Sequence, residues 1–424
     1  QDSIQKPKIG LVLSGGGAKG LAHIGVLKVI DSLNIKIDYI GGTSMGAIVG
    51  GLYASGYSGK ELEYAFSQMD VDKLIQDYIP RSSKGFNQKR NDELYILNLP
   101  FKNFKISSPR GLSKGMYNFN TLSRLTYHVK DIKDFSKLPI PFFCVATNIE
   151  TGEEVILKKG SLATAMIASG ALPTLYNPVE IEGKLLVDGG VKNNYPVEEL
   201  KRLGAEIIIG VDVQEGLKDR KDLQSVTSVL MQISNFNTID KMKEKVILSD
   251  IYIKPDVKGL SVLSFDKSNI IIKKGEEASL NHIEELIKLQ SKTTIHNKKI
   301  KICDSITIKN ISINNLNNYT RAYVLGKLNL KQNKRIPFNK FEKGINSLNA
   351  TENYSSILYS FDDENNLTLN LKENQINTFI KFGLHYDDLY KSSLLLNLTH
   401  KKLISKNDVA SLDVILGDNF RYNF

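Results

Sequence analysis

Twice within its first fifty-five residues the chain runs from a short apolar stretch through glycines straight into a segment of helical periodicity. Ile9–Ser14 leads through Gly15-Gly16-Gly17 into Leu21–Leu33, and Tyr39–Gly42 leads through Thr43 and Ser44 into Met45–Ala54. The alternation continues. Pro141–Asn148, Leu185–Asp188 and Ile207–Val211 read as strands, with helices Leu162–Ser169 and Val197–Leu203 between them and 268–290 as a closing helix. Short apolar strands alternating with helices demand a mainly parallel sheet with helices packed on both faces. No run of roughly eighteen apolar residues occurs, so a membrane-spanning helix is excluded, whereas barrel strands, being short and only alternately apolar, are not.

That α/β pattern stops near residue 296, and 424 residues leave room for two or three domains. Residues 301–424 contain twenty Asn and little Gly, and the order of elements changes. Ile306–Ile313 reads as a strand, Tyr319–Leu328 and Phe338–Leu348 as helices, and Ser355–Phe361 with Leu367–Leu371 as a strand pair. This is a small α+β unit of order β-α-α-β-β. Thr378–Tyr386, Ser392–His400 and Val409–Leu416 follow as alternating stretches joined by short polar connections, which is antiparallel patterning. Three such strands cannot close a barrel, which takes about eight. The boundaries expected are 1–296, 297–375 and 376–424.

Three motifs carry chemistry. Gly15-Gly16-Gly17-Ala18-Lys19-Gly20 follows a strand and opens a helix, where backbone N–H groups and the helix dipole favour an anion. Gly15, Gly17 and Gly20 also satisfy a dinucleotide fingerprint, but Lys19 followed by Gly20 does not satisfy a phosphate loop. Gly42-Thr43-Ser44-Met45-Gly46 is G-x-S-x-G in a strand–turn–helix setting, the arrangement that exposes a nucleophilic hydroxyl. Asp188-Gly189-Gly190 ends a later strand and precedes Asn193-Asn194-Tyr195-Pro196. Placed at the C-terminal end of a parallel strand, its carboxylate shares an edge with the other two motifs. A histidine could complete a triad, with His282 or His296 in the order that places the base after the acid. A lysine- and glutamate-rich helix around His282 and the position of His23 in a packed helix argue against it.

Taken together, SGGGAKG, GTSMG and DGGVKNNYP, with ASGALPTLYNPV before the last, resemble the patatin-like phospholipase family over most of residues 7–290. The resemblance implies a three-layer α/β/α domain and a Ser–Asp dyad without histidine. Ser44 would be the nucleophile and Asp188 its base, Gly42, Gly46, Gly189 and Gly190 would shape the two turns, and Gly15, Gly16 and Gly17 would supply the oxyanion hole. No cofactor and no metal are implied. Plant members have Asp where this chain has Ser14, and many bacterial members have Arg where it has Lys19. The β-α-α-β-β unit resembles a POTRA (polypeptide-transport-associated) domain through FEKGINSLNATENYSSILY, and the strands after it resemble the first strands of an outer-membrane barrel. That order is similar to patatin-like autotransporters. It implies a serine lipid acyl hydrolase acting on a lipid or phospholipid at a membrane surface, with no nucleic acid partner and with a homo-oligomer left open. The alternative is a non-catalytic outer-membrane transport or scaffold protein. The periplasm or cell surface is the expected place, and Gln1 in place of Met fits removal of a signal peptide.

Charge adds less. The chain is +10, with basic clusters at 81–114 and 301–350 that suit either a solvated face or an anionic surface. The first cluster interleaves Tyr95, Leu97, Leu99, Phe101 and Phe104 with lysines, so it is a candidate lid or lipid-contacting hairpin as well as an ordinary covering hairpin. Cys144 sits in an apolar strand and reads as core, and Cys303 is far from it, so neither metal-ligand nor redox spacing is present.

Overall fold

The computed structural model describes residues 7–106, 111, 113–217, 219–224, 226–292, 300–388, 391–406, 408–418 and 420–424. His296, one of the histidines considered above, lies outside them, as do Pro109 and Arg110 of the basic insert. The chain divides into two compact units, residues 1–76 with 118–303 and residues 77–117 with 304–424.

The first unit is an α/β domain on an eight-stranded sheet. Its order is 251–253, 207–211, β1 (Ile9–Leu13), β2 (Tyr39–Thr43), 142–148, 184–188 and 179–181, with 154–157 also paired to 142–148. Every residue of β1 and of Phe142–Asn148 is buried, so helices cover both faces, as the unbroken apolar runs require. Cys144 is fully buried there, and burial pushes its thiol up. Helix α1 (Ala22–Ser32) follows the glycine loop, and α2 (Met45–Ala54) follows β2.

The central strands are parallel, but the sequence expectation fails on one strand. Lys184–Asp188 runs antiparallel to Phe142–Asn148, with Ala146 opposite Asp188. Thr43 of β2 stands opposite Val145 on the other side of that strand. Register, not a shared parallel direction, therefore brings the carboxylate level with Ser44. Three short strands, Glu154–Leu157, Val179–Ile181 and Ile251–Ile253, have no legible run in the sequence.

The second unit contains two parts. In one, Ile311–Asn314 lies parallel to Leu367–Glu373, which pairs antiparallel with Tyr354–Phe361. The long strand expected at 306–313 is broken, and Ser305–Thr307 pairs instead with Arg335–Pro337. Helices Arg321–Leu328 and Phe338–Ala350 complete it. Phe341 meets Tyr359 and Phe361 at ring-centroid distances of 4.9 and 5.4 Å, an aromatic core.

In the other part a six-stranded sheet runs 421–423, 409–416, 391–401, 378–387, 97–102 and 105–106. Its last two strands come from the insert, so Leu99 stands opposite Ile380. The sheet's amphipathicity is reversed. Lys381, Asn397 and Asp413 are aligned across three strands and are buried, whereas Leu384, Leu394 and Leu416, also aligned, are exposed. The buried row is satisfied from helix Phe86–Leu94 and its C-cap: Arg90 pairs with Asp413, and the Tyr95 hydroxyl donates to it at 2.6 Å.

Candidate active site

Ser44 closes β2 and caps α2, and it sits at φ 55°, ψ −121°, a left-handed backbone that a side chain adopts only under constraint. The constraint is close packing of α2 on β1. A Cβ added at Gly46 would stand 2.2 Å from the Leu13 carbonyl oxygen, so only glycine permits the approach. The Ser44 N–H donates to Ser169 Oγ at 2.9 Å, and the Ser169 hydroxyl donates to the Val145 carbonyl at 2.5 Å. The turn is thereby tied to helix Leu162–Ser169 and to the central strand.

The strained turn aims the hydroxyl at a carboxylate. Ser44 Oγ donates to Asp188 Oδ2 at 2.5 Å, and Asp188 Oδ1 accepts the Gly190 N–H at 2.7 Å. Asp188 is 4% exposed, and burial raises its pKa to about 6 against the opposing pull of the Ser44 and Gly190 donors. A Cβ on Gly189 would fall 2.2 Å from the Val145 carbonyl, which accounts for glycine after the aspartate. The Thr147 hydroxyl donates to the Asp188 carbonyl at 3.0 Å and fixes the strand end.

The glycine loop lies alongside. A Cβ on Gly15 would meet Ser44 Cβ at 3.0 Å. Gly15 differs from the expectation, because its N–H donates to the Asn194 carbonyl at 3.3 Å and its carbonyl accepts Asn194 Nδ2 at 3.2 Å. It joins the two loops and leaves Gly16 and Gly17, whose N–H groups donate to no acceptor among the described residues. Both precede α1 through the short turn Gly17–Leu21, where amides are ordinarily unpaired. Lys19 is buried and paired with Glu215 at 3.0 Å.

The histidines serve other ends. His23 is fully buried and its Nε2–H donates to the Ser14 carbonyl at 2.8 Å, while burial lowers its pKa to about 4, so the ring is neutral and holds the end of β1. His282 pairs with Glu285 at 3.2 Å, and His128 Nε2 contacts the Ser55 carbonyl at 2.9 Å. Direct contact between Ser44 and Asp188 leaves no place for an imidazole between them. The dinucleotide reading also loses its partner, since β2 ends in Gly42-Thr43 and not in the acidic residue that would hold a ribose. Ser169 and Asn194 stood in the stretches quoted before and after the aspartate strand, and Thr147 in the strand 141–148, but none was given a role from sequence.

Residues 11–201 match the family model described as patatin-like phospholipase, and residues 365–424 match that of the OMP85 superfamily. A lysophospholipase of Aspergillus fumigatus is 26% identical over 305 residues, 66% of this chain and 18% of its own length. A patatin-like phospholipase domain-containing protein of Caenorhabditis elegans is 31% identical over 242 residues, 54% of this chain and 16% of its own. The chain thus spans less than a fifth of these curated relatives. Among solved structures, VipD from Legionella pneumophila is 17% identical with a TM-score of 0.35, covering 67% of each chain.

Proposed function

The chain belongs to the patatin-like phospholipases through residues 11–201, and on that premise we propose that its first unit hydrolyses carboxylic esters of lipids with Ser44 and Asp188 as a dyad. The observation that carries this reading is the 2.5 Å hydrogen bond from Ser44 Oγ to Asp188. An aspartate near its reference pKa of about 3.9 is a weak base at neutral pH. A buried one with a pKa of about 6 is better matched to the task and is still ionised at pH 7. Asp188 takes the hydroxyl proton as Oγ adds to the ester carbonyl. The tetrahedral oxyanion is received by the Gly16 and Gly17 N–H groups, donors that need no reorganisation. Collapse expels the alcohol, which takes the proton back from Asp188 and leaves an acyl ester on Ser44. Water, deprotonated by the same carboxylate, releases the fatty acid.

The test is hydrolysis of a soluble p-nitrophenyl ester and of a phospholipid. Ser44→Ala and Asp188→Asn should each lower kcat by about 10³-fold or more. His282→Ala should leave it unchanged. Full activity in either of the first two variants refutes the dyad.

For the second unit we propose a POTRA-like domain followed by strands of an outer-membrane barrel, placing the hydrolase at that membrane. The OMP85 match over 365–424 and the exposed leucines of a sheet with a buried polar face support this, because lipid-facing strands are apolar outward and polar inward. Flotation of the full chain with outer-membrane vesicles tests it, and recovery only in the soluble fraction counts against it.

A further inference from the structure

A run of three glycines carries no side chain that could hold its peptide planes, so the aim of any N–H within it is imposed from outside. The loop after β1 is pinned at three points. The Ser14 carbonyl accepts from His23 Nε2 at 2.8 Å, the Gly15 carbonyl accepts from Asn194 Nδ2 at 3.2 Å, and the Ala18 N–H donates to the Val262 carbonyl at 2.8 Å. The middle point bears on the reaction. A trans peptide is planar, with its C=O and its N–H pointing in opposite directions. Holding the Gly15 carbonyl toward Asn194 therefore turns the Gly16 N–H, one of the two donors assigned to the oxyanion, to the opposite side.

The Asn194 amide is itself oriented by a chain of hydrogen bonds with a single polarity. The Thr238 hydroxyl, on helix Val226–Val246, has one proton and gives it to the Asn235 carbonyl at 3.0 Å. It must then accept from Gln214, whose Nε2 lies at 3.2 Å. That turns Gln214 Oε1 toward Asn194, where it accepts from Nδ2 at 2.9 Å. Both N–H bonds of the Asn194 amide are thereby used, one on Gln214 and one on Gly15, and neither is left for a substrate. Gln214 and Thr238 are buried, and the Gln214 N–H donates to Asp212 Oδ1 at 2.8 Å, so the far end of the chain is fixed too.

We propose that Asn194 is a positioning residue for ester hydrolysis. Its side-chain amide sets the Gly15–Gly16 peptide plane, and with it the direction of the Gly16 N–H, while Gln214 and Thr238 fix which way the amide faces. The inference rests on the lipid hydrolase reading and extends it to three side chains that touch no reacting atom. Negative charge appears on the ester oxygen only as the tetrahedral state forms, so a misaimed donor is felt in kcat and not in ground-state binding.

Asn194→Ala removes the side chain and keeps the backbone carbonyl that accepts from Gly15. With a soluble p-nitrophenyl ester kcat should fall about 10- to 100-fold at unchanged KM, the order of loss that a misplacement of about 1 Å produces. The pH at which kcat/KM rises should not move, because Asp188 remains the base. Affinity for an alkyl trifluoromethyl ketone, whose carbonyl becomes a tetrahedral oxyanion on Ser44, should weaken by the same factor. Thr238→Val should lower kcat by about threefold or more, and Thr238→Ser, which keeps the hydroxyl, should retain it. An Asn194→Ala protein with wild-type kcat, or one that loses activity through KM alone, overturns the proposal. Equal kcat in the two Thr238 variants overturns it as well, and that comparison stands even where Asn194→Ala does not fold. If wild-type protein hydrolyses no ester, or Ser44→Ala retains full activity, the hydrolase reading fails and the inference fails with it.

Discussion

At the scale of single residues, the consequence of burying Asp188 beside Ser44 is a pH dependence with two readouts. With Asp188 as the proposed base, kcat/KM for a soluble ester should rise through a limb near pH 6 and level off above it. A flat profile between pH 5 and 8 would remove Asp188 as the base. Stability moves the other way. A carboxyl whose folded pKa lies above its unfolded value stabilises the protein below the unfolded pKa, and that contribution is lost as pH rises through the folded one. Burial therefore costs about 3 kcal/mol once Asp188 is ionised. Asp188→Asn should be inactive yet melt higher than wild type at pH 8, with the gain disappearing near pH 4, as calorimetry at the two pH values would reveal. The pairing of Ser44 with Asp188 was legible because each stands at a strand end inside a glycine motif that fixes side-chain type and spacing. Ser169 and Asn194 were not, because each works by hydrogen-bonding a neighbouring backbone, a task that leaves no local pattern.

At the scale of elements, close packing of α2 on β1 produces the strained turn, and Gly46 is its hinge point. Gly46→Ala drives a methyl into the Leu13 carbonyl, which as backbone cannot swing aside. A loss of about 3 kcal/mol, or roughly 5–10 °C in melting temperature, should accompany loss of activity. A well-folded, active Gly46→Ala protein would refute this account of the turn. Strands β1, β2 and 142–148 were readable as unbroken apolar runs. The strands at 154–157, 179–181 and 251–253 are only three or four residues long and too brief to set up a period. The direction of Lys184–Asp188 was illegible for a different reason, because direction belongs to a pair of strands and not to either sequence. The insert pairing is the extreme case. Cysteines replacing Leu99 and Ile380 should form a disulfide on mild oxidation, detected as a mobility shift on non-reducing gels. Failure to cross-link in folded protein would reject the pairing.

At the scale of the whole chain, composition separated an α/β part from an Asn-rich part, and the contacts assign one passage differently. Residues 77–117, flanked on both sides by the first unit, group with the second. Such a grouping depends on contacts hundreds of residues apart, for which a linear pattern has no signature. The exposed apolar row has a physical consequence as well. Replacing Leu384, Leu394 and Leu416 together by Ser should lower the detergent needed to keep the full chain monodisperse. Light scattering across a detergent titration would measure this, and an unchanged requirement would mean that the row is not what drives association.

The shared strand pairing also imposes an order in time. During synthesis the 97–102 strand emerges roughly 280 residues before its neighbour, a wait on the order of tens of seconds at ordinary elongation rates. Throughout that interval an edge of unpaired amides and carbonyls stands open on a chain whose first unit is still being made, exposed to other nascent copies. A holdase that shields strand edges until residue 387 has appeared would improve yield more than one that acts only on the finished protein.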